Sequence, residues 1–400
     1  MAAPMSEQLS GQLSGTDRVR TARQAAAGHA RPGGPGPGRL PRRDLVLLPG
    51  IALLTVLLLL LLGEAAARVA WPEQERDACV VHDPVLGKRG LPNCVSTIRK
   101  AESPWVTTHT NDCGYRSPTS CRPLPPGMPR VAVIGSSTSA GYLVAEPDLF
   151  TTLAAAKLRS LCGRTVDFQN LGVAGLGQAE VVQRVDAALA TRPSVLVWVF
   201  VPFDVENVPL AEADVPAAPP PPSLLNRIHG LAVRSRAMLV AQHYFYRNLG
   251  LYVRTYLGQA DRSDFLRAPL SSLWQRRLAY LDRSVAAIAE KAHAAGVPFM
   301  LVLASQQAQA ALMTMPPRPG IDPLAFGRAL DALAARHGGR FVDLTGSFAG
   351  KAWRDDLFYP VDGHLAAGGN RLLADALAAS LAGGDYPAFQ SCAAAGRATH

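Results

Sequence analysis

Two stretches of this chain carry residue types that could perform acyl chemistry. The first is Arg130-Val-Ala-Val-Ile-Gly-Ser-Ser-Thr-Ser-Ala-Gly141. Its β-branched run, Val131–Ile134, reads as a strand buried on both faces. The small polar turn after it lets a hydroxyl stand at the carboxyl end of that strand, where open α/β sheets hold their ligands. The second is Phe358-Tyr-Pro-Val-Asp-Gly-His-Leu-Ala-Ala-Gly-Gly369, with Asp362 two residues before His364. A serine nucleophile needs a base, a group that orients the base, and donors for the oxyanion. Among the nine histidines, only His364 combines a post-strand loop, a neighbouring carboxylate and a glycine-rich approach to a helix. Each stretch alone reads as ordinary turn chemistry; the pair together suggests nucleophile and base.

The elements that must bring them together alternate. Strands are predicted at Val131–Ile134, Val166–Leu171, Val195–Val201, Pro298–Ala304 and Arg340–Leu344, all as buried runs. Trp274–Ala295 places Leu278, Leu281, Val285, Ile288 and Ala292 at steps of three and four, an apolar helical stripe. Leu365–Leu381 repeats leucine once per turn and stops at Gly383-Gly384. This alternation predicts an α/β fold, a mostly parallel sheet between helices in three layers. Residues 212–270 break the rhythm: a proline run, then a segment of apolar, aromatic and arginine residues. We read them as a helical insertion at the domain edge, with a lid or a membrane-facing surface as the sharper alternative.

The formal charge of +9 is concentrated outside the domain, since residues 1–43 hold seven arginines against Glu7 and Asp17. No folded basic stripe with interleaved aromatics is visible, so nucleic acid is not an expected partner. Leu45–Leu62 is free of charged residues, and eighteen helical residues span about 27 Å, enough for the hydrocarbon layer. Arg39, Arg42 and Arg43 keep the N-terminus cytoplasmic under the positive-inside rule. A single-pass anchor at 44–63 is therefore expected, with the remainder exported. The alternative is a cleaved leader with its site at Ala65-Ala66-Ala67. Six cysteines without a C-x-x-C pair suit disulfides in an oxidising compartment better than zinc. The local pairing is Cys79–Cys94 and Cys113–Cys121, with Cys162–Cys392 tying down the C-terminal tail at 386–400. Residues 71–129 are expected to wrap the domain at 130–385.

At this point the residues reach a resemblance. Val133-Ile-Gly-Ser-Ser-Thr-Ser-Ala-Gly141 resembles the first block of the SGNH/GDSL hydrolases, with Ser137 in the nucleophile position. Asn170-Leu-Gly-Val-Ala-Gly-Leu-Gly177 resembles the second, in which Gly175 matches the glycine whose N–H faces the oxyanion. Asp362-Gly-His364 resembles the last, and Asp83–Gly87 and Thr110–Arg116 resemble segments of membrane-anchored bacterial members. The resemblance covers about residues 80–382. It implies a flavodoxin-like α/β/α domain and a Ser137–His364–Asp362 triad, with the N–H groups of Ser137 and Gly175 as oxyanion donors. It implies no metal or organic cofactor, and an ester on an envelope glycan or a lipid as substrate. Three positions depart from the family pattern. Ser136 replaces an aspartate, the last block is Asp-x-His instead of Asp-x-x-His, and Phe203 stands where an asparagine would supply a third oxyanion donor. Losing such a donor typically costs about 10²- to 10³-fold in rate, and Asn207 is the nearby substitute. The alternatives are an O-acyltransferase and a non-catalytic glycan-binding or scaffold protein on the same fold.

Overall fold

Five strands form one parallel sheet, and four strands of four residues each ahead of them form two hairpins. The structure, a computed structural model, describes residues 41, 43–206, 230, 234–354 and 356–392. The basic tail apart from residues 41 and 43, the proline-rich start of the insertion, and Asn207 lie outside these. The hairpins are β1 (Val80–Asp83) with β2 (Gly87–Gly90), and β3 (Val95–Ile98) with β4 (Val106–His109). The sheet strands are β5 (Arg130–Ile134), β6 (Asp167–Asn170), β7 (Val195–Phe200), β8 (Phe299–Leu303) and β9 (Arg340–Asp343). Their order is β6-β5-β7-β8-β9, parallel throughout. This is the doubly wound order that reverses beside β5 and opens a crevice at the strands' carboxyl ends.

Every residue of β5, β6, β7 and β8 is buried, because helices cover both faces and leave no side to water. Helices Phe150–Cys162 and Ala367–Ala382 pack on each other, and Ser272–Ala294 packs on Gln178–Gln183 and Val185–Ala190. The stripe read in Ser272–Ala294 is the face that goes inward: Leu281, Val285, Ile288 and Ala292 have no solvent exposure, while Leu278 is half-buried. The last helix ends at Gly383, with Leu373, Leu377 and Leu381 fully buried. One expectation is corrected. The fifth strand is not buried: β9 closes an edge of the sheet, Arg340 is exposed and its other residues are half-exposed.

The segment from 71 to 129 has more regular structure than its composition suggested. Cys79–Cys94, with a Cα–Cα distance of 5.6 Å, joins the start of the first hairpin to the start of the second, and Cys113–Cys121, at 6.1 Å, closes the loop that follows β4. Cys162–Cys392, at 4.4 Å, ties the C-terminal end to helix Phe150–Cys162. The segment is also pinned to the sheet through Arg130. Its guanidinium meets Asp167 at 2.5 Å, with both side chains only 1% exposed, and donates to the carbonyls of Ser120, Cys121, Arg122 and Thr191. A buried ion pair holds only when its remaining donors are satisfied in this way.

Asp44–Ala70 is a single 27-residue helix with a mean hydropathy of 3.0 over its most apolar window, and its leucines are exposed. By length and composition it can cross a membrane. It runs past the expected end at residue 63. Its last residues meet the insertion: Glu64 accepts from the Ser235 hydroxyl at 2.7 Å and from the Arg236 and Ala237 N–H groups at 3.0 Å each. Those N–H groups are the orphan donors of helix Arg236–Tyr246, so Glu64 acts as an added N-terminal cap. Trp71 lies edge-on to His243 of that helix, with ring centroids 4.9 Å apart.

Candidate active site

The chain leaves β5 through Gly135, whose φ is +140°. A Cβ at Gly135 would run into the Ser139 hydroxyl and the Val199 carbonyl, so only glycine fits. A one-turn helix, Ser137–Ala140, follows. It is fixed from three sides. Ser139 Oγ lies 2.5 Å from the Val199 carbonyl of β7, and the Asn170 side chain of β6 donates to the Ser139 carbonyl at 2.7 Å. Arg116, buried in the wrapping segment, donates to the carbonyls of Ala140 and Gly141 at 2.8 and 2.7 Å, and to that of Val144. The Ser137 hydroxyl is thereby held at the sheet's carboxyl edge with little freedom to move.

His364 comes 227 residues later and meets it. His364 Nε2 is 2.8 Å from Ser137 Oγ, and His364 Nδ1 is 2.5 Å from Asp362 Oδ1. Burial pushes the Asp362 carboxyl up, but the His364 hydrogen bond, the His364 charge and Lys100 outweigh it and leave the group below its ordinary value. Asp362 is therefore a carboxylate and can only accept. Nδ1 must carry the proton, which leaves Nε2 free to accept the serine proton. The Tyr142 ring packs edge-on against the imidazole, with centroids 5.1 Å apart. The Asp-x-His spacing works because one oxygen, Oδ1, also receives the His364 backbone N–H at 3.3 Å.

The oxyanion side differs from the sequence expectation in detail. Gly175 has a φ of +77°, and among the described residues its N–H has no partner. A Cβ there would sit 2.5 Å from Lys88 Nζ, which reaches in from β2 and donates to the carbonyls of Ala174 and Gly175 at 3.3 Å each. The Ser137 N–H is taken by Ser136 Oγ at 2.5 Å, and Ser136 in turn donates to Asp204 Oδ1 at 2.5 Å. Burial pushes the Asp204 carboxyl up, against the hydrogen bonds of Ser136 and the Val201 N–H. Phe203 lines the cleft beside Ser137, and the Arg262 guanidinium lies over its ring at 5.1 Å. Arg262 is also 3.5 Å from Glu206, whose carboxyl burial pushes up to about 7.

A cleft of about 460 Å³ opens over these residues. Ser137, Gly175, Asp362 and His364 line it, together with Lys88, Ile98 and Thr108 from β2, β3 and β4. A second hollow of about 60 Å³ lies against Ser137, Phe203, Arg262, Ser305 and His364. The hairpin wall was not foreseen from the sequence, and neither was Lys100, Lys88 or Glu102. None of them sits in a recognisable motif.

No family model matches the chain, and no curated protein matches it. Solved structures do resemble it. TesA is 19% identical over 63% of this chain and 97% of its own, with a TM-score of 0.36. The lipase/acylhydrolase from Enterococcus faecalis is 15% identical, covering 64% and 96%, with a TM-score of 0.36. A member of the lipolytic protein G-D-S-L family from Veillonella parvula is 14% identical, covering 63% and 96%, with a TM-score of 0.33. The fold itself rests on the parallel strand order given above, with helices on both faces of the sheet. At these identities and TM-scores the likeness carries no argument about activity, which must come from the site.

Proposed function

We propose that this chain is an SGNH-type serine esterase that works through an acyl-enzyme. Ser137 attacks the ester carbonyl while His364 Nε2 takes its proton. His364 returns that proton to the leaving alcohol, and water then repeats the sequence to release the acid. Asp362 orients the imidazole and stabilises its charged form. The Gly175 N–H meets the oxyanion, and the Ser137 N–H joins it on leaving Ser136 Oγ. The observation carrying this reading is the continuous Ser137–His364–Asp362 hydrogen-bond path on the floor of a cleft. The chemistry requires no metal or organic cofactor.

The N-terminal helix anchors the protein with its arginine-rich end in the cytoplasm, and the disulfides fit a domain working outside it. The substrate in this reading is an acyl ester on an envelope glycan or a lipid. Phe203 favours one rival, a binding protein that keeps the fold without the chemistry. Turnover of p-nitrophenyl acetate and labelling by a fluorophosphonate separate the two. Both should be lost in Ser137→Ala; labelling or turnover that persists in that variant refutes the nucleophile assignment, and a silent wild type supports the binder.

A further inference from the structure

Glu102 takes no part in the chemistry just described, yet it is bonded directly to the loop that carries Asp362. It belongs to the crosslinked segment, and its side chain is only 2% exposed. Oε2 accepts the Asp362 N–H at 2.8 Å and the Val361 N–H at 3.0 Å. Oε1 faces His243 Nδ1 at 2.7 Å. We propose that Glu102, held by His243, is a positioning residue that fixes the Asp362 loop and so aims His364 at Ser137. The proposal rests on the triad reading given above.

The physical case runs from both ends. Loop 358–365 is short of internal bonds: Tyr359 N–H donates to the His364 carbonyl at 3.0 Å and Gly363 N–H to the Tyr359 carbonyl at 2.7 Å. The two N–H groups next to the catalytic carboxylate are satisfied only from outside the loop, by Glu102. Buried amides keep such acceptors because leaving them empty is costly. A carboxylate enclosed to this degree is itself disfavoured, and burial pushes Glu102 up against the pull of His243 and the two amides. Its enclosure is offset by the three donors it gathers. Among the described residues, the other ionisable side chains that feel its charge are Tyr252 and Tyr359. His243 extends the path to helix Arg236–Tyr246 and, through its ring contact, to Trp71. The aim of the triad is therefore set partly by residues close to the anchor helix.

The test uses the full chain in detergent micelles, with Glu102→Ala and Glu102→Gln, p-nitrophenyl acetate turnover, and amide hydrogen exchange of peptides spanning Val361–His364. Gln keeps one carbonyl oxygen for both N–H groups and gives up the charge, while its NH₂ takes the place of Oε1 and donates to His243 Nδ1 in the other tautomer. Glu102→Ala should lower kcat on the order of 10²-fold, the usual cost of a misplaced reacting group, with little change in KM. It should also speed exchange at 361–362. Glu102→Gln should restore most of both. Unchanged kcat and exchange in a folded Glu102→Ala protein overturns the proposal, as does a Glu102→Gln protein as impaired as Glu102→Ala. If Glu102→Ala does not fold, His243→Ala takes its place, with a smaller loss of kcat and the same exchange signature expected, and no change in either overturning the idea. If the wild type shows no Ser137-dependent turnover, the esterase reading has failed, while exchange at 361–362 still decides whether Glu102 holds the loop.

Discussion

The Asp362→Asn substitution discriminates sharply, because the structure predicts an effect smaller than removal of a triad acid usually gives. Asp362 Oδ1 receives both the His364 ring N–H and the His364 backbone N–H. In the asparagine variant only the amide oxygen can accept both, so that oxygen stays in place and its NH₂ group turns away. His364 then keeps its proton on Nδ1, and Nε2 still faces Ser137. What is lost is the charge. A hydrogen bond to a charged group is worth about 1.5–3 kcal/mol against about 0.5–1.5 kcal/mol for a neutral pair. The difference of about 1–1.5 kcal/mol is roughly tenfold in rate. Asp362→Ala removes the orienting contact altogether and should cost on the order of 10⁴-fold. Steady-state turnover of p-nitrophenyl acetate by the two variants, at matched folded fraction, measures both. An asparagine variant as damaged as the alanine variant would mean that the amide has flipped and inverted the tautomer, and the argument from the shared oxygen would be wrong.

Two further outcomes follow from the surroundings of the site. Phe203→Asn supplies a side-chain donor that Phe203 lacks, and kcat should rise by about tenfold or more, at some cost in Tm from the lost packing; a fall in kcat would show that Phe203 and its stacked Arg262 already serve the reaction. Glu206 gives a pH effect on stability. Its carboxyl is raised from an ordinary 4.5 to about 7, so the folded state holds a proton that the unfolded chain releases between those values. Its contribution is complete below about 4.5, is lost as pH rises to about 7, and amounts to about 3 kcal/mol at most. Glu206→Gln should therefore raise Tm at about pH 8 and leave it unchanged at about pH 4, as calorimetry would report; equal Tm changes at both pH values would contradict the burial argument.

Much of the sheet was legible because strands covered on both faces are spelled as unbroken apolar runs. Val195–Phe200 is the clearest case. The edge strand β9 was misjudged because Phe341 and Val342 look like core residues, and nothing local says that this edge is left open while residues 111–119 cover the β6 edge. The meeting of Ser137 with His364 could be anticipated from the order of two loops relative to strands and helices. Glu102 and Lys88 could not. They sit in a stretch of prolines, cysteines and turns without periodicity, and two hairpins carry them over strands that come later in the chain. Their chemistry depends on tertiary placement, which spacing does not encode. Phe203 was visible as a departure, but the cation stacked on it comes from an insertion about 60 residues away.

The two hairpins that form one wall of the cleft have a consequence for where the protein can work. Catalytic side chains and substrate wall belong to parts of the molecule secured by different means, one by a closely packed sheet and the other by two sulfur crosslinks and the Arg130 anchorage. Thiol reduction would loosen the wall together with Arg116 and Glu102, which hold the Ser137 turn and the Asp362 loop from that same segment. Cleft shape and the aim of the reacting groups would then fail together, so the protein suits surroundings in which its crosslinks persist.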